Sequence, residues 1–275
     1  KDAEVIALVR DRSPFNAELI ARLPKLQLFL FTGARNNLLD HQALIDRGIP
    51  IACTAGGPSK ETTAELTWAL ILAASKNIVG QTQLLQQGQW RNPESVLPML
   101  SGQRLGIIGL GSIGGIVAKV GAAFGMDVVC WSPNMTTERA KAVNCEYVPL
   151  DTLLQTSKIV SLHLVVSQNT KGLINLERLQ LMRTDSVLVN TARSALIVTA
   201  DLIEALKMGR PGKAALDVFD MEPIPMDSPL RYAPNLLMSP HLGFIAEPIL
   251  SSFANGMVDS LTAWLDGKPV PLPFK

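Results

Sequence analysis

The chain has 275 residues, of which 47% are hydrophobic and 18% are charged, and its formal net charge is +1. This composition excludes a disordered chain, and the even charge balance gives no electrostatic reason to expect nucleic acid or a membrane surface as partner. No apolar run approaches the ~20 residues of a membrane-spanning helix. Cys53, Cys130 and Cys145 are odd in number and unclustered, so we expect neither a disulfide framework nor a metal site, which fits a reducing cytoplasm.

The first part of the chain alternates between short apolar strands and helices. The predicted strands are "EVIALV" (4–9), "LQLFLF" (26–31) and "IPIACT" (49–54), separated by the helices "NAELIARL" (16–23) and "LLDHQALIDRG" (38–48). Near-continuous apolar strands between helices indicate parallel strands that are covered on both faces. One long helix is then predicted from about Ser59 to Gln89, with "AELTWALILAA" as its buried part.

A second alternating series follows, and it predicts a larger parallel sheet. Its strands are "RLGIIG", "DVVCWS", "IVSLHLV", "SVLVNTA", "KAALDVF" and "NLLMSP", most of them separated by helical segments. The pattern predicts an α/β fold of two doubly wound parallel-sheet domains. We place a Rossmann-type dinucleotide-binding domain at 54–244. It is inserted into a smaller, flavodoxin-like substrate domain made of 1–53 plus 245–275.

A glycine-rich loop follows the first strand of this second series. "RLGIIGLGSIGG" carries G-x-G-x-x-G at Gly109, Gly111 and Gly114, after an apolar strand and before a helix. Gly109 would permit the tight turn, Gly111 the approach of a pyrophosphate, and Gly114 the close packing of helix on strand. A purely structural turn is the alternative, but this context favours a dinucleotide site.

The end of the next strand bears on the choice of cofactor. An NAD site usually has Asp or Glu about 20 residues past the loop, where it binds the adenosine ribose. This chain has Ser132 there, which can donate a hydrogen bond to a phosphate and does not repel it. The sequence therefore predicts NAD or NADP as cofactor, leaning to NADP or to dual use.

Three later strands each lead to a polar residue that suits the reduction of a 2-keto acid. Ligands of open α/β sheets bind outside the carboxyl ends of the strands, so Arg193, Glu222 and His241 can converge there. His241 could supply a proton near neutral pH with Glu222 fixing its ring, while Arg193 could grip a carboxylate. Taken singly, the three could equally be a surface salt bridge, a solvated acid and a satisfied loop histidine.

The segments "GLGSIG", "NTARSALIV", "AALDVFDMEP" and "SPHLG" resemble the D-isomer-specific 2-hydroxyacid dehydrogenase family, and the resemblance covers nearly the whole chain. It implies an oxidoreductase that transfers hydride between a nicotinamide cofactor and a small 2-keto or D-2-hydroxy acid. Arg193 would then anchor the substrate, Glu222 would partner His241, and His241 would donate the proton. Against the family pattern, the substrate domain looks short at its N-terminus.

The resemblance also implies the residues that contact each ligand. Gly33, Ala34 and Arg35 would meet the substrate carboxylate together with Arg193, Asp217 would meet the nicotinamide carboxamide, and no metal is implied. The implied cofactor contacts are Thr32, Gly109, Gly111, Ser112, Ile113, Gly114, Ser132, Thr191, Ala192, Arg193, Asp217, His241 and Gly243. Family members are usually homodimers joined through the long helix region that follows "TAGGPSKETTAELT".

Two alternative functions also fit the sequence. A formate dehydrogenase of the same fold would pair its histidine with Gln, so Glu222 argues against it. A cofactor-sensing binding module related to transcriptional co-repressors can carry the same three residues, and only turnover of a 2-keto acid distinguishes it from an enzyme.

Overall fold

The computed structural model describes residues 1–9, 13–33, 36, 38–91 and 96–274. The chain divides into two compact units: a smaller one made of Lys1–Ser59 with Ile245–Lys275, and a larger one, Lys60–Phe244. Every pair of named strands in both units is parallel, with helices between most of them. The predicted α/β class of parallel sheets is therefore confirmed.

The elements are numbered in chain order. The described strands are β1 (Val5–Leu8), β2 (Leu28–Phe31), β3 (Ile51–Cys53), β4 (Arg104–Ile108), β5 (Asp127–Trp131), β6 (Glu146–Tyr147), β7 (Ile159–Leu162), β8 (Val187–Asn190), β9 (Lys213–Leu216) and β10 (Leu236–Met238). The described helices are α1 (Ala17–Ala21), α2 (His41–Asp46), α3 (Ser59–Lys76), α4 (Ile78–Gln86), α5 (Ser112–Ala123), α6 (Thr137–Lys141), α7 (Leu150–Thr156), α8 (Leu176–Leu181), α9 (Thr199–Lys207) and α10 (Glu247–Leu265).

The smaller unit is a sheet of order β1-β2-β3 that is covered on both faces. Phe29 and Phe31 point into a cluster with Ile20 of α1 and Leu44 of α2. The alternate residues Leu28 and Leu30 point into a second cluster. Its other side chains include Met257, Leu261 and Trp264 of α10. Because every residue of β2 is buried, this strand reads as a continuous apolar run rather than an alternating one.

The larger unit contains a sheet of order β10-β9-β8-β7-β4-β5-β6. The chain starts at β4 in the interior, adds β5 and β6 on one side, and then returns to add β7 to β10 on the other. This reversal between β4 and β7 is the switch point at which open α/β sheets bind their ligands, outside the carboxyl ends of the strands. The glycine loop directly follows β4.

Both faces of the larger sheet are buried. Ile107 and Val189 pack with Trp68 and Ile71 of α3 and with Val117 of α5. On the opposite face, strand residues such as Leu162 and Leu188 pack with leucines of α7, α8 and α9. Two apolar faces explain why the strands of this unit also read as near-continuous apolar runs.

The predicted helix from Ser59 to Gln89 is wrong in one respect, because it is two helices. Asn77 separates α3 from α4 and adopts a left-handed backbone conformation with φ of 50°. Asparagine tolerates this conformation better than most residues. Its side chain lies over Gly80, where a Cβ atom would come within 2.7 Å of Asn77 Oδ1. The two-residue strand β6 was also not predicted, because it is too short to show a pattern.

Candidate active site

The glycine loop has the close approaches that its spacing predicts. Gly109 has φ of 101°, and a Cβ atom there would lie 2.7 Å from the carbonyl oxygen of His163. A Cβ atom at Gly114 would lie 2.1 Å from the carbonyl oxygen of Gly109, whereas Gly111 faces open space. Gly111 caps α5, so the first amides of this helix, at Ser112 and Ile113, point away from the helix without an intrahelical partner. A diphosphate fits this combination of bare backbone and helix N-terminus.

His163 lies on the far side of the same loop, directly after β7. Its amide donates to the Ile108 carbonyl (2.7 Å), and its ring Nε2 lies 2.9 Å from Ser161 Oγ. Burial lowers the pKa of His163 to about 4. The ring is therefore neutral at physiological pH, which suits a structural role beside the loop.

Ser132 follows β5 and is only partly exposed. Its carbonyl accepts the amide of Met135 (3.0 Å), which closes a tight turn. The guanidinium of Arg139, an exposed residue of α6, donates to the Asn134 carbonyl of this turn. A cationic side chain therefore stands at the strand end where an acidic residue is usual for NAD.

Arg193 lies on the loop after β8, and the buried side chain of Asn190 shapes this loop. Asn190 Nδ2 donates to the Arg193 carbonyl (2.8 Å), and Asn190 Oδ1 accepts the amide of Ala192 (3.0 Å). The exposed guanidinium donates through Nη1 to the Ala192 carbonyl (2.7 Å). Its Nε and Nη2 atoms, which form the side-on fork of an arginine, take no part in this bond and can donate to a carboxylate. The sequence did not single out Asn190, although a polar residue ending an apolar strand is a usable signal.

His241 and Glu222 form a tight pair. The distance from His241 Nδ1 to Glu222 Oε2 is 2.5 Å, and Glu222 Oε1 accepts the amide of Phe219 (2.9 Å). The ring of Phe244 lies edge-on to the imidazole, with centroids 5.5 Å apart. Because the carboxylate occupies Nδ1, the second ring nitrogen, Nε2, remains for a substrate.

The backbone around His241 is unusual. His241 adopts φ of 55°, a left-handed conformation that costs a non-glycine residue on the order of 1 kcal/mol. The carboxylate of Asp217, which is 1% exposed, accepts hydrogen bonds from this loop. Ser239 Oγ and the Leu242 amide donate to Oδ1 (2.6 and 2.8 Å), and the Gly243 amide donates to Oδ2 (2.9 Å). We call residues 239–243 the His241 loop.

Two threonines of α3 contact the loops that carry Arg193 and His241. Thr63 Oγ1 donates to the Gly243 carbonyl (2.8 Å). Thr67 is fully buried, and its Oγ1 lies 2.7 Å from Thr191 Oγ1. Neither threonine was predicted as part of the site, because α3 precedes Gly243 by 180 residues.

The predicted substrate loop belongs to the smaller unit. Thr32 and Gly33 follow β2, and Thr32 is buried. The Gly33 amide donates to Thr54 Oγ1 (3.0 Å), and Gly33 has φ of 86°. Ala34 and Arg35 lie outside the residues that the structure describes.

The described residues contain neither a candidate metal site nor a candidate membrane-spanning helix. Over this part of the chain, no group of three His, Cys, Asp or Glu side chains could hold a metal ion. None of the helices in the described ranges is both long enough and apolar enough to cross a membrane.

Comparison with known proteins identifies the family. The model of the D-isomer specific 2-hydroxyacid dehydrogenase NAD binding domain matches residues 68–243. A glyoxylate reductase from Aeropyrum pernix is 34% identical over 271 residues, which are 96% of this chain and 80% of that protein.

Solved structures agree with this match. A phosphoglycerate oxidoreductase from Vibrio cholerae superposes with a TM-score of 0.85 at 31% identity, covering 94% of this chain and 85% of that one. A D-lactate dehydrogenase from Aquifex aeolicus complexed with NAD and lactic acid gives a TM-score of 0.79 at 28% identity, covering 96% and 84%. The chain belongs to the D-isomer-specific 2-hydroxyacid dehydrogenase family, and its larger unit contains the NAD-binding domain of that family.

Proposed function

We propose that the protein reduces small 2-keto acids to D-2-hydroxy acids with a nicotinamide cofactor, and that glyoxylate and hydroxypyruvate are its first candidate substrates. The observation that supports this most directly is the 2.5 Å contact between His241 Nδ1 and Glu222 Oε2 in a unit with an NAD-binding loop. The 34% identity to a glyoxylate reductase supports the substrate class.

In the proposed reaction, a bound nicotinamide supplies the hydride to the carbonyl carbon. The chain supplies the proton: as the C=O π electrons move to oxygen, His241 Nε2–H donates its proton to that oxygen. The imidazolium becomes a neutral imidazole, and its Nδ1–H stays hydrogen-bonded to the Glu222 carboxylate. The carboxylate on Nδ1 fixes the tautomer of the ring and keeps the ring oriented throughout the step.

Arg193 would bind the substrate carboxylate through Nε and Nη2, with Nη1 tethered to the Ala192 carbonyl. A guanidinium held in this way can donate to both oxygens of a carboxylate in one plane, which orients the keto group next to it. The family resemblance also implies substrate contacts at Gly33, Ala34 and Arg35.

The cofactor would be NAD(H) or NADP(H), held at Gly109, Gly111 and Gly114 by the amides that begin α5. For the 2′-phosphate of NADP, Ser132 offers a hydroxyl without negative charge. Arg139 adds a cation in the adjacent turn. We therefore propose relaxed cofactor selectivity that leans to NADP.

We also propose a homodimer. Exposed apolar side chains lie on α4 and in the segment that follows it, where a second subunit would cover them. They are Ile78, Val79, Leu85, Trp90, Val96 and Met99, all at least 48% exposed. Sedimentation velocity tests this, and a monomer at micromolar concentration would refute it.

The decisive experiment measures oxidation of NADH and NADPH with glyoxylate, hydroxypyruvate and pyruvate. We expect turnover with at least one pair, and His241→Ala should lower kcat by at least ~10²-fold while the Kd of the cofactor changes little. Cofactor binding without turnover of any of the three acids would instead support a cofactor-sensing module.

A further inference from the structure

Asp217 has a buried carboxylate whose hydrogen bonds to the described residues go to one short loop. It follows β9, is 1% exposed, and accepts from Ser239 Oγ, the Leu242 amide and the Gly243 amide. These three donors flank His241 on both sides. A buried anion with three donors at 2.6 to 2.9 Å fixes the positions of those donors closely.

The backbone that these bonds hold is one that a histidine does not prefer. His241 has φ of 55°, and in this left-handed conformation its ring Nδ1 lies 2.5 Å from Glu222 Oε2. Without an external constraint, the residue would relax toward negative φ, and the ring would turn away. Gly243 is further enclosed, since a Cβ atom there would lie 3.2 Å from Asp217 Oδ2 and 3.4 Å from Thr63 Cγ2.

The other partner of the pair is held by the same stretch of chain. The Phe219 amide, two residues after Asp217, donates to Glu222 Oε1 (2.9 Å). The segment after β9 therefore holds Glu222 directly and His241 through Asp217. The distance between the His241 and Glu222 side chains therefore depends in part on this segment.

We propose that Asp217 is a positioning residue for the proton transfer, which holds the His241 loop so that the imidazole meets Glu222. This inference rests on the proposed function for its catalytic meaning, but its structural part can be tested without turnover. It differs from the family-implied role of Asp217, which is a contact with the nicotinamide carboxamide.

The test variant is Asp217→Asn. Asparagine keeps the size of the side chain but has one acceptor oxygen, so its NH₂ group faces a loop N–H donor. We expect kcat to fall by about 10²-fold, as a misplaced catalytic group does, while the Kd of NADH changes less than about threefold. The matched control is Asp201→Asn, because Asp201 Oδ2 also accepts one backbone amide, that of Leu176 (2.8 Å), in the same unit.

A spectroscopic measurement separates positioning from general loss of structure. The chain has three histidines, so ¹⁵N-histidine labelling gives a spectrum with few ring signals. A hydrogen bond as short as the 2.5 Å contact gives a strongly deshielded Nδ1 proton, which His241→Ala assigns. In Asp217→Asn this signal should move upfield or vanish, with the His41 and His163 signals unchanged. In Asp201→Asn it should stay in place.

The outcomes are distinct. An unchanged His241 signal in Asp217→Asn, or a large rise in the Kd of NADH with normal kcat, would overturn the inference and support the carboxamide contact. If the signal is lost in Asp217→Asn but the native protein reduces no keto acid, the positioning role stands and the proposed function fails. If Asp217→Asn does not fold, Ser239→Ala decides. This substitution removes one hydrogen bond to Asp217 and keeps those from the Leu242 and Gly243 amides. The His241 signal should therefore move upfield but not vanish, and an unchanged signal would refute the proposal.

Discussion

The neutral state of His163 should make the protein less stable in mild acid. Burial lowers the pKa of this ring from 6.5 to about 4 in the folded protein, whereas in the unfolded chain it takes up a proton below pH 6.5. The stability that depends on the neutral ring is therefore complete above pH 6.5 and is lost as pH falls toward 4. Between pH 8 and pH 5 the loss amounts to at most about 2 kcal/mol, because each pKa unit corresponds to about 1.4 kcal/mol.

His163→Gln removes the titrating group. The free energy of unfolding, measured by urea denaturation with tryptophan fluorescence at both pH values, should fall less for this variant than for the native protein. The difference between the two proteins should be about 2 kcal/mol at most. Ser161→Ala is the control: it removes the hydroxyl that lies 2.9 Å from Nε2 but leaves the ring buried. It should keep the native pH dependence, because burial is the cause of the lowered pKa. An identical pH dependence in His163→Gln would refute this reasoning.

Three further changes test the candidate site. Arg193→Lys should still bind cofactor but lose about 100-fold in kcat/KM for the best keto acid, or about 2.7 kcal/mol, and near-native kcat/KM would rule out a bidentate anchor. Ser132→Asp should move the kcat/KM ratio of NADPH to NADH at least tenfold toward NADH, about 1.4 kcal/mol, and an unchanged ratio would remove Ser132 from cofactor choice. Gly114→Ala should lower the free energy of unfolding by about 1–3 kcal/mol and weaken cofactor binding, because its Cβ atom would lie 2.1 Å from the Gly109 carbonyl oxygen. Gly115→Ala, whose Cβ atom meets nothing within 4 Å, should leave cofactor binding unchanged and raise the free energy of unfolding by about 0.5–1 kcal/mol, because alanine is the better helix former. Equal effects of the two substitutions would contradict the packing argument.

Elements that depend on local pattern could be predicted from the sequence. The strands of the large sheet show as apolar runs because both faces of the sheet are buried. The glycine loop can be recognised in the sequence because the close backbone contacts at Gly109 and Gly114 require glycine at that spacing. The break at Asn77 could not be predicted, because "SKNIVGQ" has helix-compatible residues on both sides and the left-handed turn depends on one residue.

The parts of the site that depend on distant contacts could not be predicted either. Strand ends suggested that Glu222 and His241 could meet, because neighbouring parallel strands end at the same edge. The bonds from Asp217 to the His241 loop span 22 to 26 residues, and the bond from Thr63 spans 180. Asp217, Asn190 and Thr63 act mainly through hydrogen bonds to backbone groups, and such bonds do not depend on the amino-acid type of the partner.

The smaller unit is made of two segments that lie far apart in the sequence, and this has a consequence for synthesis and folding of the chain. Its strands end at Cys53, but one face of its sheet, at Leu28 and Leu30, is covered by α10, which begins at Glu247. At ~5–20 residues per second, a ribosome needs roughly 10 to 40 seconds to synthesise the intervening ~190 residues. During that time the two leucines have no cover from α10. The nascent chain therefore offers an apolar sheet face to chaperones while the NAD-binding unit is still being synthesised and folding.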